Sequence, residues 1–276
     1  MVKDKSGILI CPVCRKKLNK SDNALVCEIG HSFDISRRGY VNLITGNGKN
    51  HGDNKEMILA RDSFLSSGAY SHLANAIINS LAGRLPKDKE NIIIDSGCGS
   101  GYYTDLIEKG LDALNIPHSI YAYDVSKDAI QCTARKNQKT DLCVASVSSM
   151  PYADGCADAI VCVFSPLNIP EFLRVLKPGG LFIEAIPNPE HLIELKKVIY
   201  DNPYKNTVSE NNLDGFDFLC ETNAKRTLNL NLQEAENLFA MTPYFYRTNN
   251  EGRERLKALS SISVSADFKI LTFSKR

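Results

Sequence analysis

The chain of 276 residues lacks several features that would each have pointed to a class of protein. No stretch approaches the roughly 18 consecutive apolar residues that a membrane-spanning helix requires. The first residues, Met-Val-Lys-Asp-Lys-Ser, contain no apolar core of the kind a secretory signal carries. Both absences lead to the expectation of a cytoplasmic protein with no membrane partner. Thiols stay reduced there, so the nine cysteines are not read as a disulfide framework. Net charge is missing as well, because 33 Lys and Arg against 32 Asp and Glu leave only +1. The distribution says more than the total. Residues 1–61 hold 11 basic against 6 acidic side chains, which is +5, and the remainder holds 22 against 26, which is −4. A modestly basic leading segment on a mildly acidic body is compatible with a polyanionic partner. A content of 43% hydrophobic and 24% charged residues otherwise describes an ordinary globular chain, long enough for one large domain with a small appendage.

A further absence decides between ligands. Asp95-Ser96-Gly97-Cys98-Gly99-Ser100-Gly101 follows the apolar run Ile92-Ile93-Ile94 and leads into a segment that opens a helix. The dinucleotide fingerprint G-x-G-x-x-G needs its third glycine where Tyr102 stands. The glycines instead run G-x-G-x-G after a strand that ends in Asp. That pattern resembles S-adenosylmethionine-dependent methyltransferases. Their cofactor has no pyrophosphate, and its sulfonium and amino groups favour nearby acids such as Asp95. A tight turn that binds nothing is the alternative reading. Apolar strands alternate with amphipathic helices from Asn91 onward: 92–95, 119–123, 142–145, 157–164 and 181–186 are expected strands. Helices are expected over 102–109, 126–136 (with Ser126 as N-cap), 171–176 and 190–199. Further strands at 216–222 and 262–273 and helices near 232–239 and 251–260 complete an α/β architecture, a parallel sheet covered on both faces. Asp124 then ends the second strand, where a carboxylate accepts from both ribose hydroxyls, and Ala145-Ser146 ends the third, where an adenine lies. Each acid could also be a cap or turn residue.

Before this core come Cys11-Pro12-Val13-Cys14 and Cys27-Glu28-Ile29-Gly30-His31. Two such pairs offer four soft nitrogen and sulfur ligands in a segment too small to hold itself, which suits a closed, structural tetrahedral zinc site. The bland reading is four unrelated residues, with His31 solvated. The adjoining run Phe33 to Leu43 mixes aromatics with Arg37 and Arg38. It either stacks on bases and meets phosphates or packs the zinc module on the main domain. Residues 45–55, with His51, read as a polar linker, and two helical patterns follow at 57–65 and 73–81. The organisation expected is a zinc-binding RNA-recognition domain over 1–45, a linker with joining helices over 46–90, and a methyltransferase domain over 91–276. The zinc module and the core are expected to fold on separate determinants.

With both modules on the page, the chain resembles the RlmA family of 23S ribosomal RNA (guanine-N1)-methyltransferases over nearly its full length. The resemblance rests on the Cys11, Cys14, Cys27 and His31 ligand set, Gly39-Tyr40-Val41-Asn42-Leu43, and Ala60-Arg61 with Phe64-Leu65. It continues through the segment Asp95 to Thr104, Asp124 to Lys127, Cys143 to Ser146, Lys177 to Gly180, His191-Leu192, Glu194 to Lys196, and Met241-Thr242-Pro243. It departs at Ser100, where an acid is expected in close relatives. The resemblance implies a class I (Rossmann-like) methyltransferase domain behind a small zinc-binding domain, S-adenosyl-L-methionine and Zn2+ as cofactors, a 23S rRNA hairpin as partner, and a homodimer. Cofactor contacts carried over from the family fall on Tyr70, Gly99, Ser100 and His191, beside Asp95, Gly97, Gly101 and Asp124 from the residues themselves. The implied reaction is methyl transfer to guanine N1. Spacing nominates no general base and does not decide which guanine is modified. Phe164, at the end of the fourth strand, either stacks on the target base or is a core aromatic. The competing function is a small-molecule, quinone-type C- or O-methyltransferase with a purely structural zinc module.

Overall fold

The computed structural model describes residues 7–46, 55–137, 139–207 and 211–276. Most of the 45–55 linker, His51 included, lies outside them. Three short strands come first, β1 (Leu18–Ser21), β2 (Ala24–Cys27) and β3 (Ser32–Asp34), paired antiparallel in that order as a ribbon. Next are β4 (Val41–Asn42), α1 (Lys55–Ser66) and α2 (Ser71–Ala82). The alternating body runs β5 (Asn91–Ser96), α3 (Tyr102–Ala113), β6 (His118–Asp124), α4 (Lys127–Lys136), β7 (Asp141–Val144), β8 (Ala157–Val163), α5 (Ile169–Val175), β9 (Leu176–Pro187) and α6 (Ile193–Ile199). The chain closes with β10 (Phe216–Asn231), α7 (Leu232–Ala240), α8 (Tyr244–Arg247), α9 (Asn250–Lys257) and β11 (Ser261–Lys275). One eight-stranded sheet has the order β10-β11-β9-β8-β5-β6-β7-β4. Strands from β4 to β9 in this order are parallel, and β11 pairs antiparallel with both β9 and β10.

Local chemistry explains these elements. Ile93 and Val161 face one layer of core while Ile94 and Ile160 face the other, so each central strand is apolar on both sides. Ser126 caps α4 as expected, its hydroxyl accepting from the Ala129 amide at 3.3 Å. Asn231 and Glu234 form a reciprocal capping box that starts α7. Strands β1 to β4 and the short α8 were not expected, β9 starts at Leu176 and not at 181, and two further differences have a clear local cause. β10 is 16 residues long and not confined to 216–222. Its second half buries Ala224, Leu228 and Leu230 on one face and exposes Lys and Asn on the other, which disguises a strand as a polar stretch. The helix expected from Glu190 begins at Ile193, because Glu190 to Leu192 form a turn with Leu192 in the left-handed region (φ 56°).

The largest correction concerns the amino-terminal module. β4 is the edge strand of the main sheet, pairing Val41 with Cys143 and Asn42 with Val144. Leu43 donates its amide to the Val144 carbonyl at 2.9 Å, Ile10 to Pro151 at 2.9 Å, and Ala153 to Ile8 at 2.9 Å. Leu9, Leu18, Leu25, Val41 and Leu43 share one buried cluster with Tyr121, Tyr123, Cys143 and Tyr152. Tyr40 packs in a further cluster with Cys98 of the glycine loop and with Ile130 and Ala134 of α4, and its hydroxyl accepts from Gln131 at 3.2 Å. The zinc module and the core therefore do not have separate folding determinants, and Tyr40 and Leu43 are packing residues.

Candidate functional site

The four ligand atoms foreseen from spacing converge at one end of the ribbon. The Sγ atoms of Cys11, Cys14 and Cys27 and the ring nitrogen of His31 all lie within 4.8 Å of one another. Cys14 Sγ is 3.7 Å from Cys27 Sγ, and His31 Nδ1 is 3.5 Å from both Cys11 Sγ and Cys27 Sγ. A tetrahedron with Zn–S of about 2.3 Å and Zn–N of about 2.0–2.1 Å has S–S edges near ~3.8 Å and S–N edges near ~3.5 Å. The donor set fits zinc in size and in chemistry. Burial pushes the Cys27 thiol up, but the Ile29 and His31 amides together with the Cys14 and His31 side chains outweigh it and bring it down to about 7, toward the thiolate a metal needs.

The second site is built on the β5–α3 turn. Gly97 has φ +73°, and a Cβ there would lie 2.6 Å from Cβ of Ser165. Gly101, at φ +77°, would drive a Cβ into the Thr133 side chain. Both positions thus demand glycine for conformation and for space. Asp124 organises the turn from the next strand: one carboxylate oxygen accepts the Gly99 amide at 3.0 Å and the other the Ser126 amide at 2.8 Å. Ala145, beyond β7, donates its amide to the Asp124 carbonyl at 3.0 Å, which brings the third strand's end to the same place. Beneath the turn Asp95 is buried and accepts from the Thr104 hydroxyl at 2.5 Å. Burial raises its carboxyl to about 6, against the Thr104 hydrogen bond and with the help of neighbouring Asp124. Ser100 is buried with a hydroxyl that has no partner among the described residues.

Tyr70 and His191 lie beside this cradle in an aromatic wall. The Tyr70 ring stands edge-on to Phe268 at 4.8 Å and to Phe64 at 5.3 Å, and His191 lies 4.5 Å from Phe268. Phe164 links wall to cradle, 5.3 Å from Phe268 and 6.4 Å from Tyr103 in the first turn of α3. Its backbone is left-handed (φ 55°), and its ring is 46% exposed at the end of β8. A bulky residue held there is strained, a condition that clusters at functional sites. His191 accepts the Asp267 amide on Nδ1 at 3.1 Å, and burial, with the Lys196 charge, holds its pKa down to about 3. It is therefore neutral, with its proton on Nε2. The hydroxyls of Tyr70 and Tyr103 are buried without partners among the described residues. Three orphaned hydroxyls and a glycine cradle around two acids suit a polar, cationic nucleoside. Phe268 escaped the sequence reading, because an aromatic in a late strand carries no signal that it will meet residue 70.

The turn after β5, the acid closing β6 and the Cys3His ribbon on the sheet edge define a Rossmann-like, S-adenosylmethionine-dependent methyltransferase with a zinc ribbon. The family model described as RlmA, N-terminal, matches residues 9–51, and that of a methyltransferase domain matches residues 94–183. A protein of Micromonospora griseorubida described as a 23S rRNA (guanine-N1)-methyltransferase is 34% identical over 263 residues, covering 87% of this chain and 88% of its own. One of Bacillus subtilis (strain 168) with the same description is 30% identical over 95% of both chains. The 23S rRNA (guanine(748)-N(1))-methyltransferase of Streptomyces fradiae is 35% identical over 68% of this chain and 66% of its own. The chain belongs to the family of 23S rRNA (guanine-N1)-methyltransferases. Among the described residues no helix is long and apolar enough to cross a membrane.

Proposed function

We propose that this protein methylates N1 of a guanine in a hairpin loop of 23S ribosomal RNA, with S-adenosylmethionine as donor and one structural zinc per chain. The observation that carries the reading is the fusion of a Cys3His ribbon to the edge of the sheet that builds the cradle, in a chain that matches rRNA methyltransferases along most of its length. In this reading Asp95, Gly97, Gly99, Ser100, Gly101 and Asp124 hold the cofactor, and Tyr70 and His191 close it in. Cys11, Cys14, Cys27 and His31 hold the metal. Residues 1–45 serve RNA recognition, 46–90 join the two parts, and 91–276 form the methyltransferase domain. The exposed turn between β3 and β4 presents Arg37 and Arg38, which have no ion-pair partner among the described residues, to phosphates. The resemblance further implies a cytoplasmic homodimer, which sedimentation of the purified protein tests.

The bound cofactor supplies an electrophilic methyl group. What remains is asked of the chain. Guanine N1 carries a proton that must leave, so the base has to be presented unpaired and flat. Phe164, exposed beside the cradle, offers a stacking face for it. His191 is neutral and protonated on Nε2, so it acts in this site as a hydrogen-bond donor, suited to charge that develops on an oxygen. The deciding experiment maps methylated guanines in 23S rRNA from cells with and without the gene, alongside transfer assays on RNA and on small quinones. Loss of one N1-methylguanine confirms the reading. An unchanged map together with transfer to a quinone overturns it.

A further inference from the structure

His191 is held by a turn that its own sequence does not favour. Leu192, next in the chain, is a non-glycine residue in the left-handed region (φ 56°), a conformation that lasts only where the surroundings fix it. One side of the turn is fixed by β11. Asn188 donates its amide to the Asp267 carbonyl at 3.0 Å, Leu192 to the Ser265 carbonyl at 2.9 Å, and Asp267 to His191 Nδ1 at 3.1 Å. The other side is fixed by Asn206. Its backbone amide donates to the Pro189 carbonyl at 2.9 Å, and its Nδ2 to the Asn188 carbonyl at 2.9 Å and the His191 carbonyl at 3.5 Å. Behind Asn206 stands Lys196 of α6, whose Nζ donates to Asn206 Oδ1 at 2.7 Å and to the Tyr204 carbonyl at 2.9 Å. The ammonium lies 4.5 Å from the centre of the Tyr204 ring and 5.1 Å from that of Tyr244. Lys196 is fully buried, and among the described residues no carboxylate pairs with it.

We propose that Lys196 and Asn206 are positioning residues, a pair that sets the His191 turn and acts on methyl transfer through it. The proposal rests on the role given to His191 above and deepens it. A buried charge without an ion-pair partner adds little to stability, since an apolar side chain of similar size does as well or better. What the ammonium adds is direction. It can only donate, so it fixes which end of the Asn206 amide is oxygen. Both Nδ2 hydrogens then face the carbonyls of the turn. A flipped amide would set oxygen against oxygen, and Asn188 and His191 would lose this donor. The charge reaches the His191 ring as well. After burial it is the largest influence that keeps the ring neutral, with His72 a lesser one, against Asp267.

The test is NMR of the histidine ring nitrogens in the full-length, zinc-loaded protein, with His191 assigned from its missing signal in His191→Gln. In the wild type the His191 ring should be neutral and in one tautomer, protonated on Nε2. Asn206→Asp keeps an oxygen for Lys196, adds an ion pair, and removes both Nδ2 donors. It should melt at or above the wild-type temperature, yet its His191 nitrogens should shift toward a mixture of tautomers as the bond from the Asp267 amide loosens. Its kcat for methyl transfer to 23S rRNA should fall roughly tenfold to a hundredfold, the cost of a misplaced group, with KM little changed. Lys196→Met, an apolar chain of similar length, should fold and show the same His191 shift. A wild-type His191 spectrum in either folded variant overturns the proposal and leaves Asn206 as a mere acceptor for Lys196. His191→Gln judges the underlying reading separately. Unchanged cofactor affinity and transfer rate in that variant remove His191 from the site, while the spectra still decide what sets its turn.

Discussion

Replacing Cys14, one of the four proposed metal ligands, with serine should destabilise the whole chain and not the ribbon alone. The ribbon meets the sheet through Leu9, Leu18, Leu25, Val41 and Leu43, none more than 4% exposed, in one cluster with Tyr121, Tyr123 and Tyr152. At about 1.5–3 kcal/mol per buried aliphatic side chain, this contact is worth roughly 7–15 kcal/mol. A whole domain is stable by only about 5–15 kcal/mol, so the ribbon cannot come away while the sheet stays as it is. Structural zinc contributes about 10–16 kcal/mol in small modules. Losing even about 5 kcal/mol of that should lower the melting temperature by roughly 10–20 °C in a chain of this size. The effect reaches the cofactor site, because Tyr40 packs on Cys98 of the glycine loop. Calorimetric melting and titration with S-adenosylhomocysteine should therefore show one transition, shifted down, and weaker binding. Two resolved transitions, the upper one at the wild-type temperature with cofactor affinity intact, would refute the shared core.

Three further expectations concern the cradle and the turn between β3 and β4. Asp124→Ala should weaken cofactor binding by about 1.5–3 kcal/mol for each charged hydrogen bond lost. It should also lower the melting temperature, since the Gly99 and Ser126 amides lose their acceptor; titration and melting of the same variant check both, and an unchanged affinity removes Asp124 from the site. Because burial holds the Asp95 carboxyl at about 6, affinity for a cationic cofactor should fall as pH drops through about 6, and Asp95→Asn should flatten that profile. The stability of the ligand-free protein should move the other way: a raised carboxyl contributes most below about pH 4 and loses its contribution as pH rises through about 6, so Asp95→Asn should melt higher than wild type at neutral pH. Replacing Arg37 and Arg38 together with alanine should weaken RNA binding and reduce its salt slope by roughly 0.7–0.9 per lost phosphate contact. Both side chains are exposed, so melting should be unchanged, and a native melt with an unaltered salt slope would show that they do not grip RNA.

The alternation of strands and helices from Asn91 to Ile199, the grouping of Cys11, Cys14, Cys27 and His31, and the glycine turn were legible in the chain itself, because each depends on residues close in sequence. Apolar period, C-x2-C spacing, a glycine every second residue and an acid at a strand end are local patterns with local physical causes. The length of β10 was not legible, since it is set by pairing with β11, whose partner residues lie thirty or more positions away in the chain. The same holds for the run Phe33 to Leu43: its aromatics fit a nucleic-acid surface equally well until β4 is seen pairing with β7 and Tyr40 with the back of the glycine loop. Tertiary structure alone decided that the ribbon and the methyltransferase share one core. It alone brought Tyr70, Phe164, His191 and Phe268 into one wall. Such contacts join residues whose separation in sequence carries no periodic signal, and only the packing of helices and strands on the sheet brings them within reach of one another.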